Sequence, residues 1–302
     1  MPGAMTAAAA TVNEIVRRDR RFGWFMTAPG LVALVLVVLF PLLFTIFTSL
    51  FEYTLVRPGY DTFAGIDNYR SALEENYLGE SIVVTVKFVI AVVLIEFLIG
   101  FTVALMLNAV TRFKNIYYPI LLMPLLINPV VVAQIWRMFL HPELGIVNYL
   151  IGLVGVPKVN WLGDPNIAFW TVVMVDIWHQ VSFMIILLLA GLSALPKEPY
   201  EAARMDGAST LQSFFHITLP LMRPVIVVTL LIRLIFAIKT FDLIFIMTRG
   251  GPGTATDLIS YFIYRSAFYG LDIGQASAIS VVLLIVVLAL TGYLYRYMRS
   301  LA

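Results

Sequence analysis

The sequence predicts an all-α fold, a polytopic membrane helical bundle with six transmembrane helices, and three observations carry that prediction. Of the 302 residues, 61% are hydrophobic and 13% charged, with a mean hydropathy of +0.92, far from the composition of soluble globular domains. Six apolar runs, at about residues 24–51, 82–107, 116–138, 167–190, 225–247 and 275–295, are each long enough to cross a hydrocarbon core of about 30 Å at about 1.5 Å per residue. The basic residues favour one set of connections: residues 1–23, 108–115, 191–224 and 296–302 hold eleven Lys/Arg, against five in the opposite loops. By the positive-inside rule the richer set faces the cytoplasm, so both termini are expected there.

In chain order, residues 1–23 read as a polar cytoplasmic segment ending in Arg17, Arg18, Arg20 and Arg21, and residues 24–302 as one membrane domain. The first apolar run is too long for the h-region of a signal peptide and lacks an obvious small-x-small cleavage site, so the segment is expected to be retained. The second run carries Glu96. The third holds Pro119, Pro124 and Pro129, each of which removes a helical hydrogen bond and disfavours a straight helix. Irregular backbone at this depth is tolerated where protein covers it or where it lines a wet cavity. This span therefore either borders a pathway or kinks for packing.

Ionisable groups inside a span cost about 2.5–3.5 kcal/mol each on insertion scales and normally face protein or water. Glu96, Asp176, His179, Arg233, Lys239 and Asp242 are the candidates. In the fourth run Asp176, His179, Gln180 and Phe183 stand at i, i+3, i+4 and i+7 and share one helix face. That face mixes hydrogen-bonding groups with an aromatic ring, the pairing a sugar needs for its hydroxyls and its C–H faces. An interhelical polar contact with Arg233 or Lys239 would produce the same pattern. In the fifth run Lys239 and Asp242 are placed to neutralise one another. Arg233 lies on a different face; pointing into a cavity it would suit an acidic or phosphorylated sugar, whereas paired with Glu96 or Asp176 it would leave a neutral one. Both arrangements are open to the sequence.

Between the fourth and fifth runs, residues 196–220 read as a polar hairpin. Pro196 and Pro199 suit the first turn of a helix, and Gly207 suits its left-handed termination. Ser209 and Gln212 form an S-x-x-Q capping box for a second short helix, to which Leu211, Phe214 and Phe215 give an apolar face. Ala202 and Ala203 leave the first helix smooth enough for close approach, and Glu201 near its N-terminus suits a basic partner. An amphipathic connector lying on its own bundle would look similar.

Several chemistries are excluded or unsupported. With no cysteine, disulfides, thiol catalysis and Cys-ligated metals are ruled out. None of the five lysines follows glycine, so no phosphate-binding loop of the Gly-Lys type exists. The three histidines, His141, His179 and His216, have no metal-site spacing. The Gly-Gly-Pro-Gly at 250–253 reads as a turn, and the net charge of +2 is an orientation signal that does not argue for nucleic acid.

Glu201, Ala202, Ala203, Gly207, Ile217, Leu219 and Pro220, at the spacing EAA, three residues, Gly, nine residues, I-x-LP, resemble the signature of permease subunits of binding-protein-dependent ABC importers. Gly65, Asn68 and Tyr69, then Trp161 and Leu162, then Phe241, Asp242, Thr248, Gly250, Gly251 and Pro252 extend the likeness to the carbohydrate branch of that family, which includes maltose, glycerol-3-phosphate and polyol systems. The resemblance covers nearly all of the chain after about residue 22. It implies a type I importer in the inner membrane of a prokaryote, with two ATPase copies, a second permease similar to this one and an extracytoplasmic solute-binding protein. It also implies that ATP and magnesium belong to the ATPase, that this chain carries no cofactor, and that the 201–220 signature contacts the ATPase. The chain departs from the longer maltose-type subunit, since no extra N-terminal spans and no large outer domain are read, so that subunit's substrate contacts do not transfer. An ion-gradient-driven secondary transporter, with Asp176, His179 and Glu96 carrying protons, is the alternative.

Overall fold

Apolar runs in a lipid-like solvent close their backbone hydrogen bonds internally, and the helix does so within one segment. The computed structural model describes residues 22–110 and 114–299. Arg17, Arg18, Arg20, Arg21 and Arg112, part of the orientation argument, lie outside the described residues. Among the described residues the regular structure is helical, with two isolated bridges, Phe51 with Phe63 and Thr54 with Asp272, tying loops at one end.

The helices are α1 (Phe22–Thr48), α2 (Asp67–Glu74), α3 (Asn76–Ala109), α4 (Lys114–Leu126), α5 (Pro129–Phe139), α6 (Ile146–Leu153) and α7 (Pro165–Ser193). They continue as α8 (Glu198–Met205), α9 (Thr210–Ser213), α10 (Leu219–Ile238), α11 (Asp242–Met247), α12 (Ile259–Phe268) and α13 (Ile273–Arg299). Among the described residues five helical stretches are long and apolar enough to span a membrane, and counting one bent pair as a single span brings the number to the six that the sequence predicts.

The third span differs from a simple crossing. It breaks into α4 and α5 with a bend of 92°. Pro119 and Pro124 stay inside α4, and the break falls at Asn128–Pro129, where the Asn128 side chain accepts from Val130 N at 2.9 Å and caps α5. Pro129 is thus the residue that turns the chain, because a proline is tolerated in the first turn of a new helix.

Two short π-helical turns have a common cause. Val35–Leu39 precedes Pro41 and Phe214–Thr218 precedes Pro220. A proline inside a helix lacks its N–H and crowds the preceding turn, and widening that turn relieves both problems. The hairpin's second limb is therefore not a separate short helix. It runs through the π turn into α10, and Thr210–Met247 forms one long path interrupted at Lys239–Phe241.

The core is built on α3 and α7, the most extensive helix pair, joined by α10. Glycines allow the close approach: a Cβ on Gly100 would lie 2.7 Å from the Met184 Cβ, and one on Gly191 would lie 2.6 Å from the Val225 Cγ1. One apolar cluster, with Phe101, Met184, Leu188 and Met222, fills the hairpin end of these three helices. Another, with Phe88, Val92, Val173 and Ala237, fills the opposite half and reaches α5, α11 and α12. By contrast, no residue in the apolar stretch of α1 is buried.

Candidate functional site

Between the two apolar clusters lies a polar layer made by one residue from each core helix. Glu96 of α3, Asp176 of α7 and Arg233 of α10 are 0%, 4% and 1% exposed. Arg233 Nη2 donates to Glu96 Oε1 at 2.8 Å while Nε donates to Glu96 Oε2, and Nη2 also donates to Asp176 Oδ2. The planar guanidinium fork suits this bidentate geometry. Of the two arrangements the sequence left open, the structure has Arg233 paired with both carboxylates.

Asp176 also forms part of the wall of a cavity of about 220 Å³, together with His179, Gln180, Phe236, Lys239 and Asp242. Pro129 borders the same cavity, so, of the two readings that the prolines of the third span left open, the break in that span lies beside a cavity. His179 links the two features. Its Nε2 lies 3.1 Å from Ile127 O, at the break between α4 and α5, and its Nδ1 lies 3.0 Å from Gln180 Nε2. The tautomer protonated at Nε2 satisfies both contacts, donating to the carbonyl that the break leaves without a helical partner.

The structure thus brings Asp176, His179 and Gln180 to one cavity and sets Glu96 and Arg233 behind its wall. Phe183 is not part of that wall; its ring meets Phe236 at a tilt of 55°, with centroids 5.6 Å apart, and Phe236 and Phe241 supply the aromatic surface. This second wall is built where α10 ends, from Phe236 and the consecutive residues 239–243, so no helical spacing marked it in the sequence. Lys239 and Asp242 both face the cavity, are exposed, and form no ion pair with each other.

The 196–220 segment has the helix, glycine turn and capping box its residues call for, although Pro196 lies before the first helix and not in its first turn. Pro199 lies in the first turn of α8, with Glu198 and Glu201 supplying negative charge there. Gly207 has φ +75° and Ala208 N donates to Ala203 O at 2.9 Å, closing the helix. The capping box forms in both directions: Gln212 N donates to Ser209 Oγ at 3.2 Å, and Ser209 N donates to Gln212 Oε1 at 2.7 Å. Tyr200 Oη donates to Thr218 Oγ1 at 3.0 Å, fixing one limb on the other. The Phe214 ring packs at a tilt on Phe101 of α3, with centroids 6.0 Å apart. Glu201 and Ala202 are exposed, Ala203, Ile217, Leu219 and Pro220 partly so. Met205, Leu211 and Phe215 are 89%, 67% and 53% exposed, so the hairpin presents apolar side chains that its own bundle does not cover.

At the other end of the bundle, the remaining motif residues secure loops. Asn68 donates to Ser49 O at 2.9 Å and Phe51 O at 2.8 Å, and Tyr69 Oη contacts Ser49 Oγ at 2.7 Å. Trp161 donates to Asn148 Oδ1 at 2.9 Å, while Asn148 Nδ2 donates to Pro142 O and Val159 O, both at 2.9 Å. Arg265 meets the buried Asp257 at 2.8 Å, and Ser81 donates to the same oxygen at 3.1 Å. Burial pushes the Asp257 carboxyl above the usual carboxylate range, against the pull of Arg265 and Ser81. Sequence reasoning missed Asn148 and Asp257, because their partners are set by loop folding and not by any helical spacing.

The family model described as "Binding-protein-dependent transport system inner membrane component" matches residues 96–300. The chain belongs to this family. Its relatives include the trehalose/maltose transport system permease protein MalF of Thermococcus litoralis, 37% identical over 92% of this chain and 94% of that protein. Another is the sulfoquinovosyl glycerol transport system permease protein SmoG of Agrobacterium fabrum, 33% identical over 93% of this chain and 92% of that one. Among solved structures, a chain of a bacterial ABC transporter involved in import of the acidic polysaccharide alginate has a TM-score of 0.82 at 25% identity, covering 94% of this chain and 98% of that chain. The permease is therefore a multi-pass inner-membrane component of an ABC importer, and the ion-gradient alternative is set aside.

Proposed function

We propose that this permease passes a sugar, polyol or sugar derivative through the cavity between α7 and the α10–α11 junction, by alternating access driven from its hairpin. The observation that carries the proposal is the hairpin itself. A helix–turn–helix pinned by Tyr200, Gly207 and the Ser209–Gln212 box moves as one body, and it presents uncovered Met205, Leu211 and Phe215 beside Glu201. Apolar side chains exposed on an otherwise polar connector mark a protein interface. In this reading two copies of a separate ATPase, which carry ATP and magnesium, grip Glu201, Ala202, Ala203 and Gly207 from the cytoplasm. Ile217, Leu219 and Pro220 pass the motion into α10. A loaded solute-binding protein docks at the opposite end, and a second, similar permease completes the pathway. Both termini are cytoplasmic.

The cargo class rests on the cavity's chemistry. The Gln180 amide, the Asp176 and Asp242 carboxylates and the Lys239 ammonium offer donors and acceptors beside the Phe236 and Phe241 rings. The trehalose/maltose permease relative agrees with a carbohydrate. Co-purification from native membrane, with crosslinking from a cysteine placed at Met205, tests the coupling. The expected product is a crosslink to a nucleotide hydrolase. A hairpin that captures none, or that protease mapping finds outside the cell, would overturn the proposal.

A further inference from the structure

Two short helices in the half of the bundle away from the hairpin each carry an aromatic face. In α11 Phe241 and Phe245 stand four residues apart, and in α12 Tyr261, Tyr264 and Phe268 stand three and then four apart, spacings that gather rings on one side of a helix. Folding sets the two faces together. Ser260 Oγ donates to Thr240 O, which pins the start of α12 to the break between α10 and α11. Tyr264 then meets Phe241 and Phe245, with centroids 5.2 Å away in both pairs. Beyond it, Phe268 lies 4.9 Å from Tyr264 and Tyr269 lies 6.0 Å from it. At one end Phe241 stands in the cavity wall, and at the other Phe268 and Tyr269 are 57% and 59% exposed. The rings therefore run without a gap from the cavity to open surface.

We propose that Phe241, Tyr264, Phe268 and Tyr269 form an aromatic track along which cargo containing a pyranose ring passes from the outer face to the cavity. This rests on the reading of the cavity as part of a carbohydrate pathway. A pyranose presents an apolar C–H face edged with hydroxyls. Covering that face with an aromatic ring removes apolar surface from water, while the hydroxyls stay wet or meet a phenol. Tyr264 and Tyr269 supply such phenols, since their hydroxyls bond no group among the described residues. The track recognises the ring's face and not its hydroxyl pattern, so it takes pyranoses as a class. Neighbouring rungs touch, so cargo meets the next ring before it leaves the last, and no rung holds it deeply. Binding that is shallow and repeated is what passage requires. Packing of α11 on α12 accounts for Phe245 and the buried Tyr261, and an interfacial belt would account for exposed rings alone; neither calls for the exposed rings to join a cavity wall.

The chain has no cysteine, so a single reporter can be placed beside the track. Tyr269→Cys is made in the assembled transporter in lipid bilayers, and its modification by a water-soluble, membrane-impermeant thiosulfonate is followed by mass spectrometry of this chain. Maltose is the pyranose probe, and sorbitol, an acyclic polyol without a ring face, is the control at equal osmolality. Maltose is expected to slow the modification and sorbitol to leave it unchanged. Adding Phe268→Leu keeps an apolar side chain at an exposed position but removes the ring. It should raise the maltose concentration needed for half-protection about fivefold, the scale of one aromatic contact, and Phe268→Trp should not. The proposal is overturned by a reporter that never reacts, since the rings would then face lipid or the second permease. It is equally overturned if maltose and sorbitol act alike, or if Phe268→Leu leaves the protection unchanged. Thr240→Cys, in the cavity wall, separates the track from the wider reading: maltose protection there without protection at Tyr269→Cys sinks the track and leaves the cavity as the pathway. None of these readouts needs ATP or a crosslink, so they stand or fall apart from the coupling experiment at the hairpin.

Discussion

Replacing Arg233 with methionine is the most direct test of what holds the three core helices together. Methionine fills much of the arginine stem's volume but leaves Glu96 and Asp176, 0% and 4% exposed, facing each other with no cation. Removing one partner of a buried ion pair costs about 3–5 kcal/mol, and with two carboxylates stranded here the upper part of that range is expected. At about 1.4 kcal/mol per factor of ten, the folded population falls by roughly three orders of magnitude relative to the unfolded one. Glu96→Gln is a much smaller change, because an amide oxygen still accepts from Nη2; its expected loss is about 1–2 kcal/mol. The combined change of Glu96→Leu, Asp176→Leu and Arg233→Met removes every stranded charge and should recover most of the stability lost by Arg233→Met, since buried ion triads are often replaceable by packed apolar groups. Unfolding of the purified protein in mixed micelles, titrated with SDS and followed by circular dichroism, supplies the ranking. If Arg233→Met unfolded at the same detergent fraction as wild type, or if the apolar triple variant were no more stable than Arg233→Met, the view of this layer as a mutually dependent ion triad would be wrong.

Gly207→Val should lower ATP-driven uptake several-fold while assembly persists. A Cβ there meets nothing within 4 Å, so the penalty is the left-handed backbone alone, about 1–2 kcal/mol, and Gly207→Asn should recover much of the loss; uptake at the wild-type rate by the valine variant would discredit the hairpin as a lever. Asn148→Ala leaves the Trp161 indole N–H and the Pro142 and Val159 carbonyls without their partner, at about 1–3 kcal/mol for each group that water does not reach. Local hydrogen exchange in residues 142–163 should rise, with little change in α3 or α7. Asp257 has a folded-state pKa raised by burial. Its neutral form is therefore favoured by folding, and its contribution is present below the ordinary carboxylate pKa and lost as pH rises through the raised one. Asp257→Asn should flatten that decline in stability above about pH 4, where an unperturbed aspartate titrates; an unchanged slope would assign the pH dependence elsewhere.

What was legible in the chain follows from how local each signal is. The six spans could be read because hydropathy is a property of contiguous residues, and Gly207 with the Ser209–Gln212 box could be read because caps act within four positions. The bend at Asn128–Pro129 was half legible: three prolines announced an irregular span, but which of them would turn the chain depended on Asn128 being free to cap α5 and on His179 donating to the Ile127 carbonyl. The ion triad was legible only as a set of alternatives. Glu96, Asp176 and Arg233 stand on three helices, and helical periodicity fixes which face each occupies without fixing how the helices rotate against one another. That rotation is set by the close approaches at Gly100 and Gly191, where α7 meets α3 and α10. Those glycines are silent in a hydropathy profile, yet they are where the three helices that carry the triad come closest. Phe183 illustrates the same point in reverse. Its i+7 spacing from Asp176 put it on the cavity face, but an α-helix drifts by about 20° over seven residues, and the ring packs at a tilt against Phe236 instead of lining the cavity.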